Sequence, residues 1–323
     1  MKKVLIIGGG AMGAAFSVPL IDNNQKVTLT EPYNTKLLNQ LLHKKKFHPS
    51  LKIVLPKRLS IKKFSPHILS QKWDLIVIAV SSIGIELIRK HLKDLKKKTS
   101  ILVLTKGLKY DRKINKIITM SEQLSIGNKN LNISVLKGPC LAKELAKKIK
   151  SYTVIANKDI RIAEKIGKII STNYYKTEHL TDVRGVEFSS AIKNIYSMIV
   201  GSGEGKNTSS ALFRKSFDEM EYLIKFFKGK TETVRGLAGL GDLYVSAVGG
   251  RNSKMGEYLG KGFNFKNAKR KFMKKDTIEG ADLAYEIAPY ILKKVNRKKI
   301  PLMISLLNAV TKNKKLNIRW QNK

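Results

Sequence analysis

A doubly wound parallel α/β domain followed by an all-helical domain is the fold that this sequence predicts. Three observations carry the expectation. The chain opens on an apolar run closed by glycines, KKVLIIGGG. Strand-like runs then alternate with helical stretches as far as about residue 180. Beyond Thr181 helical periodicity takes over, with glycine-rich connectors between helices. A length of 323 residues suits two cores, and the expected division is 1–181 and 182–323.

The first strand, KKVLIIGGG, leads into the small-residue segment AMGAAFSVPLIDNN, where Pro19 should kink the helix or limit its length. QKVTLTE is the second strand. Together they make a β-loop-α-β opening. WDLIVIAVSS (73–82) and SILVLTKGL (100–108) read as apolar strands buried in a parallel sheet. NISVLKGPC (132–140) is a further strand, and SYTVIAN (151–157) follows a short helix. Helices are then expected over 184–200, 208–228, 253–260 and 278–294, with a last one from about 301. Connectors fall at 201–205, 236–241 and 249–250.

Composition limits the function classes. Hydrophobic residues make up 42% of the chain, enough for substantial cores. The single cysteine, Cys140, excludes an internal disulfide and suits a reducing compartment. The apolar run at the start is too short for a signal peptide, and no stretch approaches the ~20 apolar residues of a membrane span. A cytoplasmic protein is expected, with no membrane insertion. The net charge of +39 is nearly all lysine, scattered in runs such as 44–46 and 96–98. No aromatic residues interleave with it as stacking platforms, so dispersed solvated charge is expected rather than a specific nucleic-acid surface. Such a field would steer a small anion. The five histidines lack metal-ligand spacing, and no metal is expected.

The glycines carry the first chemistry. Gly8, Gly10 and Gly13 form GxGxxG between a strand and a helix, and Glu31 ends the next strand eighteen residues past Gly13. That is the Rossmann arrangement for a dinucleotide, with the pyrophosphate against Gly10, Ala11 and Met12 at the helix N-terminus. Glu31 would take the ribose hydroxyls and repel a 2′-phosphate, which favours NAD over NADP. Lys106 follows a buried strand at its carboxyl end, where open sheets bind ligands. Gly138-Pro139 turns the chain off another strand, and Cys140 opens a helix as a small buried thiol.

In EFSSAIKNIYSMIVG (187–201), Phe188, Ala191, Ile192, Ile195 and Ile199 share one face, which should pack inward. Lys193 lies on the other side between Ser189 and Ser197, and periodicity alone makes it a solvent-facing lysine. Arg251-Asn252 at a helix start suits a phosphate through the guanidinium and free backbone N–H groups, or reads equally as a loop with an N-cap asparagine.

Taken in order, GGGAMG, TKG, GPCLAKE, SAIKN, GLAGLGD, GGRN and IEG resemble the NAD(P)-dependent glycerol-3-phosphate dehydrogenases, from residue 4 to about 285. The resemblance implies a Rossmann domain and a helical substrate domain, as a homodimer. It implies the interconversion of dihydroxyacetone phosphate and sn-glycerol 3-phosphate with NAD or NADP, a supply of glycerol phosphate for phospholipids. By motif, Lys193 would be the acid/base lysine, Asn194 its pocket neighbour, and Asp242 the residue that orients both lysine and substrate hydroxyl. Lys106 would contact substrate and cofactor. Gly138 and Cys140 would line the substrate, with Ala142 near the nicotinamide. Arg251 and Asn252 would bind the phosphate, Arg251 would also approach the cofactor, and Glu279 would reach the cofactor. Cys140 stands where serine is usual, Ser190 where glycine is common and Gly250 where serine is frequent, and the 201–207 segment is short. The rival readings are a 2-keto or hydroxy acid reductase of similar build and a basic, non-enzymatic Rossmann module that binds nucleic acid.

Overall fold

The computed structural model describes residues 1–43, 45–92, 95, 99–128 and 130–318. Lys44 and the lysines at 96–98, counted above as dispersed charge, lie outside the described residues, as do 319–323. Two compact units divide the chain. The first takes Met1–Lys106 and Met120–Val183, the second Gly107–Thr119 and Arg184–Lys323.

Along the chain, β1 (Lys3–Ile7) runs through a glycine turn into α1 (Ala11–Asp22) and β2 (Lys26–Glu31). α1 passes through Pro19 and ends at Asp22, where Asn23 caps it by donating its N–H to Pro19 and Ile21 carbonyls. α2 (Thr35–His43), the short antiparallel pair β3 (Phe47–His48) and β4 (Ile53–Val54), and β5 (Ser60–Lys63) follow. β6 (Leu75–Ile78) is buried throughout and leads to α3 (Ser82–His91), whose N-cap Ser81 accepts from Gly84 N–H. β7 (Ser100–Val103) stops five residues short of the strand read from the sequence, so Lys106 lies in the loop beyond it. After the hairpin of β8 (Leu108–Asp111) and β9 (Lys116–Thr119) come α4 (Met120–Ser125), β10 (Asn132–Lys137), α5 (Ala142–Ala146), β11 (Ser151–Ala156), α6 (Ile160–Ile170) and β12 (Tyr175–Leu180).

Among the described residues the sheet of the first unit has eight strands, in the order β12-β11-β10-β7-β6-β1-β2-β5. Neighbours are parallel except β10 and β11, which are antiparallel. This departs from the wholly parallel sheet expected. The link from β10 to β11 carries only the five-residue α5, not the full crossover helix that returns a strand in parallel. β1 sits between β6 and β2, so strand order reverses at its end. The glycine turn therefore opens at the topological switch point, where such sheets leave a crevice. Val4, Ile6, Phe16, Leu29 and Val77 make the core beneath it.

In the second unit, α7 (Val183–Gly201) is followed by α8 (Lys206–Phe226), α9 (Thr231–Arg235) and a π-helical turn over Leu237–Gly241. Then come α10 (Asp242–Ala247), α11 (Arg251–Gly260), α12 (Phe265–Phe272), α13 (Glu279–Lys294) and α14 (Pro301–Thr311). The β8–β9 hairpin is grouped with these helices, so the second unit takes in Gly107–Thr119 besides the helical residues from Arg184 on. Tyr110 N–H donates to Glu286 Oε1 at 2.8 Å, and its ring meets that of Tyr290 edge to face. α7 is buried continuously from Gly185 to Val200. The one-sided burial expected for it is corrected: Ser189, Ser190 and Ser197 are buried on its second face, and the polar Lys193 and Asn194 there are buried with hydrogen-bond partners. Among the described residues no helix is long and apolar enough to cross a membrane.

Candidate active site

In the first unit the glycine turn is built for close approach. Gly8 has φ +115, and a Cβ there would stand 2.6 Å from Ala79 backbone atoms. A Cβ at Gly13 would meet the Gly8 carbonyl oxygen at 2.0 Å, so α1 can press on the turn only through glycine. At Gly10, by contrast, the space a Cβ would fill is open. Gly10 is also the N-cap of α1 and offers no side-chain cap, which leaves the first-turn N–H groups of Ala11 and Met12 for an outside acceptor. Both features fit a dinucleotide pyrophosphate.

Glu31 closes the far side of this turn. Its Oε2 accepts from Gly9 N–H at 2.7 Å, while Oε1 accepts from Tyr33 N–H at 2.9 Å and Asn34 N–H at 3.0 Å. The carboxylate thus ties the glycine loop to the loop after β2. His48 completes the clamp. Its Nδ1 accepts from Leu51 N–H, so the neutral ring carries hydrogen on Nε2 and donates to Gly9 O at 3.1 Å. Histidine spacing in the sequence points to no metal site and says nothing of this role. A backbone anchor has no spacing signal.

Lys106 is half-buried in the loop after β7. Behind that loop Lys137, almost wholly buried, donates to Val103 O at 3.1 Å and Thr105 O at 2.8 Å. Gly138 turns the chain off β10 with φ +103. Cys140 does not open α5: Leu141 is the N-cap and the helix begins at Ala142. The thiol is half-buried, not fully buried as expected; it packs against the core of the first unit beside the hydroxyl of Tyr175. α5 has only five residues, too few to focus a helix dipole on an anion.

In the second unit Lys193 is 6% exposed, which overturns the solvent-facing reading from periodicity. Its Nζ donates to Asp242 Oδ1 at 2.7 Å and to Ser246 Oγ. Asp242 and Ser246 are four apart on α10 and share a face, as Ser190 and Lys193, three apart, do on α7. Ser190 Oγ–H donates to Asp242 Oδ2 at 3.0 Å. A buried charge needs a partner, and here the ammonium and carboxylate supply each other. Ser246 was missed in the sequence, although its i+4 spacing from Asp242 was visible.

Asn194, next to Lys193, accepts from Asn252 Nδ2 at 3.1 Å and donates weakly to Glu279 Oε2 at 3.4 Å. Asn252 Oδ1 accepts from Gly280 N–H at 2.9 Å. The Asn252 side chain is thus spent on tying α11 to α7 and α13. Arg251 is more than half exposed and reaches Glu279 Oε1 at 3.4 Å. The N-cap of α11 is Gly250, with no side-chain cap, so the first-turn N–H groups beside Arg251 remain available to an anion. Two polar networks thus meet at adjacent residues of α7: Lys193 belongs to one with Asp242, Ser190 and Ser246, and Asn194 to another with Asn252, Glu279 and Arg251.

Two family models cover nearly the whole chain. Residues 3–163 match the N-terminal part of NAD-dependent glycerol-3-phosphate dehydrogenase and residues 182–320 its C-terminal part. The NADP(+)-dependent glycerol-3-phosphate dehydrogenase of Archaeoglobus fulgidus is 30% identical over 310 residues, covering 89% of this chain and 90% of its own. The chain belongs to the glycerol-3-phosphate dehydrogenase family. These are NAD(P)-dependent oxidoreductases acting on a secondary alcohol. A glycerol-3-phosphate dehydrogenase [NAD(P)+] of Leptospira biflexa is 31% identical, with 82% of this chain and 81% of the relative covered. Among solved structures, the glycerol-3-phosphate dehydrogenase of Coxiella burnetii has the same fold, with a TM-score of 0.84 at 24% identity over 97% of this chain and 96% of that one.

Proposed function

We propose that this glycerol-3-phosphate dehydrogenase family member reversibly reduces dihydroxyacetone phosphate to sn-glycerol 3-phosphate, with Lys193 as the acid/base group. The observation that carries the proposal is a buried ammonium held at 2.7 Å by a buried carboxylate, Asp242, on a neighbouring helix. A dihydronicotinamide cofactor held at the glycine turn would supply the hydride for the ketone carbon. Negative charge then develops on the ketone oxygen, and Lys193 stabilises it and delivers the proton. Asp242 holds the ammonium in position and balances its charge. Arg251 and the uncapped start of α11 bind the phosphate, so remote binding energy aligns the carbonyl. Asn252 serves this role by holding α11 in place. In the reverse direction Lys193 accepts the hydroxyl proton.

Gly8, Gly10, Ala11, Met12 and Gly13 are assigned to the cofactor, with Glu31 favouring NAD through its charge beside the adenosine ribose. Lys106, Gly138, Cys140, Ala142 and Glu279 keep the roles that the family motifs suggest. The homodimer, a place in the cytoplasm and a supply of glycerol phosphate for phospholipids belong to the same reading.

The test is oxidation of NADH and of NADPH with dihydroxyacetone phosphate. Lys193→Ala should abolish turnover, a loss of at least ~100-fold, while NADH still binds; near-wild-type activity would sink the assignment. Arg251→Ala should raise KM for the phosphorylated substrate, and an effect confined to cofactor affinity would refute the phosphate role.

A further inference from the structure

Ser190 lies one turn before Lys193 on α7, fully buried and directed at the same carboxylate. The two oxygens of Asp242 are divided between these neighbours. Oδ1 accepts from the ammonium of Lys193 at 2.7 Å and Oδ2 from the hydroxyl of Ser190 at 3.0 Å. An aspartate carboxylate turns easily about its last torsion, because that sp³–sp² rotation is broad. Donors at both ends remove the freedom. The hydroxyl bond is charge-assisted, and it lies where Asp242 is only 2% exposed, so water does not readily replace it.

We propose that Ser190 is a positioning residue for proton transfer: its hydroxyl fixes the rotation of the Asp242 carboxylate and keeps Oδ2 from competing for the Lys193 ammonium. This rests on the reading of Lys193 as the acid/base group. Without the hydroxyl, buried Oδ2 loses a donor, and the ammonium already bound to Oδ1 at 2.7 Å is a charged donor beside it. The carboxylate then turns to share both oxygens with Lys193. That draws the ammonium toward Asp242 and away from the substrate oxygen it must protonate. Phosphate binding is untouched, because Arg251 and the start of α11 lie on a different element.

The experiment compares wild type, Ser190→Ala, Ser190→Gly, Ser190→Thr and Lys193→Ala. It reads kcat and KM with dihydroxyacetone phosphate and NADH, NADH affinity by fluorescence, and thermal unfolding. Ser190→Ala and Ser190→Gly should lower kcat roughly tenfold to a hundredfold, with KM and NADH affinity within about twofold of wild type. Ser190→Thr returns the hydroxyl and should recover most of kcat. Neither deletion adds a heavy atom, and agreement between alanine and glycine ties the effect to the lost hydroxyl rather than to the remaining Cβ. Wild-type kcat in both deletions, beside an inactive Lys193→Ala, overturns the role of Ser190 and leaves that of Lys193 standing. A rise in KM that matches the fall in kcat, or a threonine variant as slow as alanine, also overturns it. An active Lys193→Ala brings down the underlying reading and this inference with it.

Discussion

Gly9 is held by its own backbone on both sides, with its N–H on Glu31 and its carbonyl on His48. That clamp sets the glycine turn proposed to hold the pyrophosphate. Burial holds the His48 ring below its ordinary pKa of 6.5, so the neutral form that the geometry requires persists to lower pH. His48→Leu keeps much of the bulk but removes the donor. It should weaken NADH binding by about fivefold, the value of one hydrogen bond, with KM for dihydroxyacetone phosphate unchanged at saturating cofactor. His48→Gln, which can still donate to Gly9, should lose less; titration of NADH fluorescence reads both. Single residues of this kind were the hardest to read in sequence. Lys193, Asp242 and the glycines were legible because motif order places them. His48, Ser246 and the bond from Ser190 were not, because each acts through a partner far along the chain. Asn252 was read as a phosphate ligand or an N-cap, and only its contacts reveal a tie between three helices.

Helices α7 and α11 approach almost backbone to backbone. A Cβ on Gly256 would stand 1.9 Å from Met198 O, and one on Gly260 would stand 2.3 Å from Ser202 O. Both glycines lie on one face of α11 at i, i+4, and Asn252 continues that face one turn earlier. Gly256→Ala must therefore push the helices apart, with an overpacking cost of about 1–3 kcal/mol. The same displacement pulls Asn252 from Asn194 and shifts Arg251 at the helix start. A lower unfolding temperature should accompany a higher KM for dihydroxyacetone phosphate; a variant less stable but with unchanged KM would disconnect the crossing from the proposed phosphate site. At this scale the long elements were legible. Helices read at 184–200, 208–228, 253–260 and 278–294 match α7, α8, α11 and α13 to within about two residues. Short α9, α10 and α12 were not read, since glycines around 236–250 suggested a connector and five to eight residues give periodicity little room. The reversed direction of β11 was invisible too, because side-chain alternation carries no direction.

At the scale of the whole molecule, the helical unit contains a carboxyl group that opposes its own burial. Glu219 on α8 is 5% exposed and faces the start of α14, where Pro301 lacks an N–H to offer. Its oxygens accept from Leu302 N–H at 2.6 Å, Met303 N–H at 3.0 Å and the Tyr196 hydroxyl at 3.0 Å. Those three donors favour the charged form, yet desolvation outweighs them and pushes the pKa up from 4.5 to about 7. A folded pKa above the unfolded one means that the folded state binds the proton more tightly. The contribution is fully present below pH ~4.5 and is lost as pH rises to about 7, an interval worth about 3 kcal/mol in all. Glu219→Gln cannot titrate. The stability of wild type relative to this variant should therefore fall steadily between pH 4.5 and 7 and level off above. His48 and His179, whose lowered pKa values give the opposite slope, are common to both proteins and cancel in the difference. Denaturant unfolding across that range checks the expectation, and a flat difference would show that the three donors keep Glu219 ionised after all.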